Sequence, residues 1–370
     1  MVSTGLRRTF DDAVDAAAQE VGDGGEDVGV VARVTRVAPG ALPGSGPVDV
    51  LLDAAAGLAD RRHGVALTPR HRFAVASGSK GFTAAAVLAL VADGTLDLST
   101  TARSLLGDDL PLVDDAVTVE HLLSHRSGIG DYLDDDADVS EYLMPVPVHA
   151  LVDAEDYLPI LDGHPQAFAP GTAFAYCNGG FVVLAALAQR ASGVPFHDLV
   201  RTRVLEPAGM ASTGYLRSDA LPGDAAVGYV QVDGQWRSNV HHLPVVGGGD
   251  GGAYTTTLDM ERFWGALLGG RILPDELVER MRRVPADGAT AAEAADGTAH
   301  DDDEEERYGL GLWLPGTADA VALEGQDTGV SFFSTHDPAT GLTVTVAGTT
   351  ADAAWPVAQA LRDAVPDAVA

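Results

Sequence analysis

Lysine is almost missing from this chain. Of its 23 basic residues 22 are arginine, and Lys80 stands alone. Basic residues of either kind are few beside 54 Asp+Glu, which leaves a formal net charge of −31 at pH 7. A surface of that sign repels phosphate, so nucleic acid is excluded as a partner and an anionic membrane is disfavoured. The single cysteine, Cys177, permits no internal disulfide. No apolar run reaches the ~18–20 residues of a membrane span. After MVSTGLRRTF the chain continues DDAVDAAAQE, where a secretory signal needs an apolar segment. The expected location is therefore the cytoplasm, which a lone cysteine suits. Acidic excess on this scale further suggests a salt-rich cytoplasm, where screening relieves self-repulsion.

What is present suffices for a packed core, since 46% of the residues are hydrophobic. Residues 9–20 read as a short amphipathic helix, 28–36 as a β-branched strand and 48–60 as a second strand running into a turn. The segment GSKGFTAAAVLALVAD (78–93) is the clearest helix, stopped by Gly94. TVEHLLSH (118–125) reads as a helix capped by Thr118, and 179–191 as a buried helix ending near Gly193. Residues 227–236 alternate like a hairpin with Asp-Gly at its turn. Helices are expected again at 258–270 and 273–283. Four strand-like runs follow at 307–315, 318–325, 329–337 and 342–350, and a helix at 355–365 closes the chain.

The expected fold is α+β. N- and C-terminal strands share one antiparallel sheet flanked by helices, because neither set makes a sheet alone. The whole chain, 1–370, is read as one domain. Its sheet lobe covers about 1–74 and 221–370, and a mainly helical lobe covers about 75–220. Two acidic runs, DYLDDDADVSE (131–141) and DGTAHDDDEEER (296–307), read as solvated loops.

The chemistry concentrates at Ser77-Gly78-Ser79-Lys80, where the best helix begins. Residues three apart share a helix face, so Ser77 Oγ and Lys80 Nζ can meet. A serine hydroxyl attacks only if a base takes its proton, and an amine is a base only in its neutral form. The spacing by itself is weak: fifteen serines in 370 residues make such a coincidence about 4% probable. The sharper clue is that Arg replaces Lys everywhere else, and Arg cannot deprotonate in a protein. A second element is Tyr176-Cys177-Asn178. The phenol can shuttle a proton beside a lysine, and the Asn amide can hold Lys80 and a substrate carbonyl together. A third is the strand-like Glu324–Phe332, whose small residues let a substrate backbone lie alongside. Cys177 reads as a small buried apolar residue. His121 and His125, four apart, lack a third ligand, so no metal site is expected.

Ser77-x-x-Lys80, Tyr176-x-Asn178 and a C-terminal strand triplet ending in Gly329 resemble the three signatures of the serine β-lactamase and penicillin-binding-protein superfamily. The Tyr-x-Asn form is similar to the class C branch with its esterases and D-aminopeptidases. HRFAVASGSKGFTAAAVLAL (71–90), VTVEHLLSHRSGI (117–129), DGGAYTTTLDMERF (250–263) and RYGLGLWL (307–314) resemble further landmarks, and the likeness covers roughly 10–365. The resemblance implies Ser77 as acylated nucleophile, with Lys80 and Tyr176 sharing proton transfer. It implies Asn178 as orienting group, and the N–H groups of Ser77 and Val330 as oxyanion hole. Asp327, Thr328 and Gly329 would stand in place of Lys-Thr-Gly or His-x-Gly. An acid where a cation is usual should repel a carboxylate, so the expected substrate is a neutral or cationic small-molecule ester or amide, hydrolysed without cofactor or metal. The alternatives are a D-amino-acid peptidase or amidase, a β-lactamase, and a non-catalytic binding homologue of the same fold.

Overall fold

The structure is a computed structural model that describes residues 3–21, 24–133, 144–285, 307–316 and 319–369. The chain opens with helix α1 (Thr4–Val21). Two strands follow, β1 (Val30–Arg36) and β2 (Asp49–Ala56). Three further strands lie near the C-terminus: β3 (Val321–Asp327), β4 (Val330–Asp337) and β5 (Leu342–Gly348). All five form one antiparallel sheet in the order β2-β1-β5-β4-β3. The expected union of N- and C-terminal strands is thus realised through β1 and β5, paired from Val30–Gly348 to Arg36–Leu342.

Between β2 and β3 the chain builds the helices that position the site. They are α2 (Lys80–Ala92), α3 (Asn178–Ser192) and α4 (Thr257–Leu268). Every residue of α2 from Lys80 to Leu90 is buried. Such a helix holds no amphipathic stripe and packs on all sides. Helix α3 ends at Gly193, whose φ of 68° serves the left-handed cap that other residues resist. One contiguous core runs from Val31, Leu323 and Phe332 of the sheet into α2, α3 and α4, so sheet and helices share an interior. Each large apolar side chain there contributes ~1.5–3 kcal/mol by leaving water. The opposite face of the sheet is covered by α1 and the last helix, α5 (Ala354–Val369), around Leu6, Phe10, Val346 and Leu361.

The hairpin falls where Asp-Gly places it, with Tyr229–Val232 paired to Gln235–Ser238 and positive φ at both Asp233 and Gly234. Thr118 caps Val119–Leu123 in a reciprocal capping box with His121. The run 307–315 is not a strand. Gly311 adopts φ 80° within van der Waals reach of α2, and Gly309 and Gly311 give their N–H groups to Leu312 and Leu123. The segment folds into a tight turn whose Tyr308–Trp313 and Trp313–Ala322 bridges are its only ladder contacts among the described residues. Apart from Asp131–Leu133 and Arg307, the two acidic runs lie outside the described residues.

Candidate active site

The chain enters the site through Phe73-Ala74, which pairs with Tyr254-Thr255. It then turns sharply. Ala76 has φ 41°, a strained value for a residue with a Cβ, directly before Ser77. Residues Ala76–Ser79 form a 3-10 turn that continues into α2. Ser79 secures the turn by donating to Ala76 O at 2.8 Å and accepting the Ala253 N–H at 3.0 Å. Two glycines seat it on the sheet. A Cβ on Gly78 would meet the Phe332 ring at 2.6 Å. A Cβ on Gly325 would meet Val75 O at 2.1 Å and Ser77 N at 2.9 Å.

Lys80 is 1% exposed, among the largest fully buried side chains. Its Nζ donates to Ser77 Oγ at 2.9 Å, Asn178 Oδ1 at 2.8 Å and the Asp250 carbonyl at 2.8 Å. An ammonium has three protons, and three acceptors meet them. Two of these acceptors, the Asn178 and Asp250 oxygens, can only accept, whereas the Ser77 hydroxyl can also donate. A neutral Lys80 would keep two hydrogen bonds and offer its lone pair to the Ser77 O–H. Nζ also lies 4.9 Å from the centroid of the Tyr176 ring.

Tyr176 is held by its surroundings. Its ring lies 4.2 Å from the His125 ring and 6.0 Å from Trp313, nearly parallel to the latter. His125 also bonds the residues on either side: its carbonyl accepts the Ala175 N–H, and its Nδ1 accepts the Cys177 N–H at 3.0 Å. Burial, aided by the nearby Lys80 charge, holds the His125 imidazole well below its ordinary pKa. It is therefore neutral, with its proton on Nε2. His121 serves a helix cap and His125 a tyrosine clamp. Burial pushes the Cys177 thiol up, and its Sγ faces the Ile129 carbonyl, an unreactive setting.

Three features take roles that sequence spacing does not show. The first is Asp131, which lies in a run read as solvated. Its carboxylate accepts the N–H groups of Asn178 at 2.6 Å and Gly179 at 2.9 Å, fixing the start of α3 from 47 residues away. The second is Asp250. Its carboxylate accepts the Tyr132 O–H at 2.6 Å, and burial pushes this carboxyl up. The third is the segment around Tyr308 and Trp313, which supplies one wall of the tyrosine cage.

The glycine triplet needs correction. Thr328 and Gly329 form the two-residue loop joining β3 to β4, closed by the Asp327–Val330 pair. Gly329, with φ 73°, packs on Gly228 and Tyr229, away from Ser77. The glycine lying against Ser77 is Gly325. Val330 belongs to β4, one strand in from the edge and paired with Asp327, so it is not placed to complete an oxyanion hole. Alternation from a hydrogen-bonded closing pair turns the Gln326 backbone outward at the free edge beside Gly325. The position two before Gly325 is Leu323, whose methyls pack on Gly81. Asp327 lies two residues beyond Gly325 on the same strand face and is half-buried. Burial pushes its carboxyl up to about 7, the neighbouring Asp250 adding to the shift and the Thr328 N–H opposing it.

Known proteins resemble this chain to different depths. The chain is 33% identical over 180 residues to esterase EstB of Burkholderia gladioli, covering 46% of this chain and 45% of that one. It is 32% identical over 184 residues to a D-aminopeptidase of Brucella anthropi, covering 49% and 33%. The matches span a third to about half the length of these curated relatives. Among solved structures, a penicillin binding protein from Bacillus halodurans superposes with a TM-score of 0.76 at 30% identity, covering 95% of this chain and 99% of that one. The model of the family described as Beta-lactamase matches residues 46–365. With that match spanning most of its length, the chain belongs to the Beta-lactamase family.

Proposed function

We propose that this protein is a serine hydrolase acting on a small-molecule ester or amide through an acyl-enzyme. The observation that carries the reading is the buried Lys80 amine, bonded at once to Ser77, Asn178 and the Asp250 carbonyl. Ser77 Oγ attacks the substrate carbonyl as its proton passes to the lone pair of the neutral Lys80 amine. Asn178 and Asp250 hold the amine in register, and the caged Tyr176 phenol relays the proton to the leaving group. The developing oxyanion is met by the N–H groups of Ser77 and Gln326, one from the 3-10 turn and one from the sheet edge. Water then repeats the sequence on the acyl group. Relatives named esterase and D-aminopeptidase support a hydrolase acting on esters or amides. The net charge of −31 supports operation in a salt-rich cytoplasm.

The test is covalent labelling with a fluorophosphonate at high salt. The wild-type chain should take one label, on Ser77, and Ser77→Ala should take none while keeping its melting transition. An unlabelled wild-type protein would favour the non-catalytic homologue instead.

A further inference from the structure

We propose that Asp327 is a specificity-determining residue that selects substrates carrying an ammonium group close to the scissile carbonyl, such as esters or amides of amino acids with a free amine. The inference rests on the acyl-enzyme reading above and deepens it.

The argument begins with the charges around Ser77. Among the described residues Lys80 is the cation bonded there, and in its charged form its three protons go to Ser77, Asn178 and the Asp250 carbonyl. None is left for a substrate carboxylate. Strand β3 presents Leu323, Gly325 and Asp327 on the face toward the nucleophile turn. Leu323 is buried on Gly81 and Gly325 lies against Ser77, so Asp327 is the first charged group the strand brings to that face. One residue along an extended strand covers about 3.3 Å, and Asp327 lies that single step beyond Gln326. A carbonyl oxygen held on the outward Gln326 N–H therefore places its α-substituent next to Asp327.

The Asp327 carboxylate accepts the adjacent Thr328 N–H at 2.8 Å and forms no ion pair among the described residues. The charged groups sensed by Asp327 are Asp250, from the loop before Tyr254, and Lys80 of α2. Glu324 and Gln326 lie on the other face of the strand. An anionic substrate would meet Asp327 and Asp250 with no free counter-charge, which is costly in a partly desolvated cleft. An ammonium would meet a half-buried carboxylate able to form a charge-assisted hydrogen bond. Burial raises this carboxyl, and an arriving cation shifts it back toward the ionised form.

The experiment compares second-order rates of Ser77 labelling by three fluorophosphonates of matched length, whose chains end in –NH3+, –CH3 or –COO−. The full-length protein should react at least tenfold faster with the ammonium probe than with the methyl probe, and slowest with the carboxylate. In Asp327→Asn the ammonium-to-methyl ratio should fall at least tenfold. In Asp327→Lys the order of ammonium and carboxylate should invert. Equal rates for the three probes on the wild type, or an unchanged ratio in Asp327→Asn, would overturn the assignment while leaving the hydrolase reading intact. Failure of every probe to label Ser77 would overturn the hydrolase reading itself.

Discussion

The turn at Ser77–Lys80 packs on β3 at Gly325 and the hairpin tip at Asp327–Val330 ends the same strand, yet they are built on opposite terms. The turn is closed: Lys80 is buried, every proton on Nζ has an acceptor, Gly78 admits the Phe332 ring and Gly325 lets strand backbone approach the turn. At the tip only Asp327 stays partly exposed, with its described hydrogen bond to its own neighbour, while Thr328, Gly329 and Val330 behind it are buried. A proton-transfer group must be held in fixed geometry and away from water, whereas a group that recognises substrate charge must stay reachable. On the proposed mechanism, the reaction is written into the turn and the choice of substrate into the strand end.

The strongest way to break this contrast is Lys80→Arg. Arginine keeps the charge but cannot give up a proton, so kcat should fall by about 10³-fold, within the range for loss of general-base catalysis. Turnover within tenfold of the wild type in a steady-state assay would remove Lys80 from the proton path.

Next in size is a paired glycine test. Gly325→Ala drives a methyl into Val75 O and Ser77 N, so it should lower kcat by about 10²-fold and cost ~1–3 kcal/mol in denaturant melts. Gly329→Ala strains a φ of 73° at the tip and should cost ~1–3 kcal/mol with kcat kept within a few-fold. The reverse pattern would return the oxyanion role to the Gly329–Val330 step.

A smaller effect is expected at the start of α3. Asp131→Ala frees the Asn178 and Gly179 N–H groups and should cost ~0.5–2 kcal/mol, as loss of a helix cap does. Because Asn178 holds Lys80, kcat should fall with it; a purely structural cap would leave kcat unchanged.

The smallest is a pH effect at the tip. Burial pushes the Asp327 carboxyl up to about 7 when folded, from an ordinary aspartate value near 3.8 when unfolded. Between those values the folded state binds the extra proton, so its contribution to stability is full below about pH 4 and is lost as pH rises toward 7. The slope is at most about 1.4 kcal/mol per pH unit. Asp327→Asn should gain stability relative to the wild type as pH rises through that window. Parallel curves for the two proteins would place the carboxyl in the ordinary range.

The parts legible in the sequence share a short reach. Ser77 and Lys80 are three residues apart, the α2 and α3 runs show their apolar character within a dozen residues, and Thr118 and Gly193 sit where caps belong. The misread parts depend on distant partners. RYGLGLWL has strand-forming residues, but its glycines bend it around α2. Asp131 looks like one acid among many until α3 arrives 47 residues later.

By itself the sequence singled out Lys80, with Tyr176, for the proposed proton transfer. A lone lysine at helical spacing from a serine is a statement about covalent chemistry and local geometry, and both survive any packing. Only the tertiary structure decided what surrounds that pair. It brought Asn178 and Asp250 to Lys80 across 98 and 170 residues. It also chose Gly325 over Gly329, because a backbone's closeness to another backbone depends on how sheet and helix dock, and a glycine's letter reads the same wherever that contact falls.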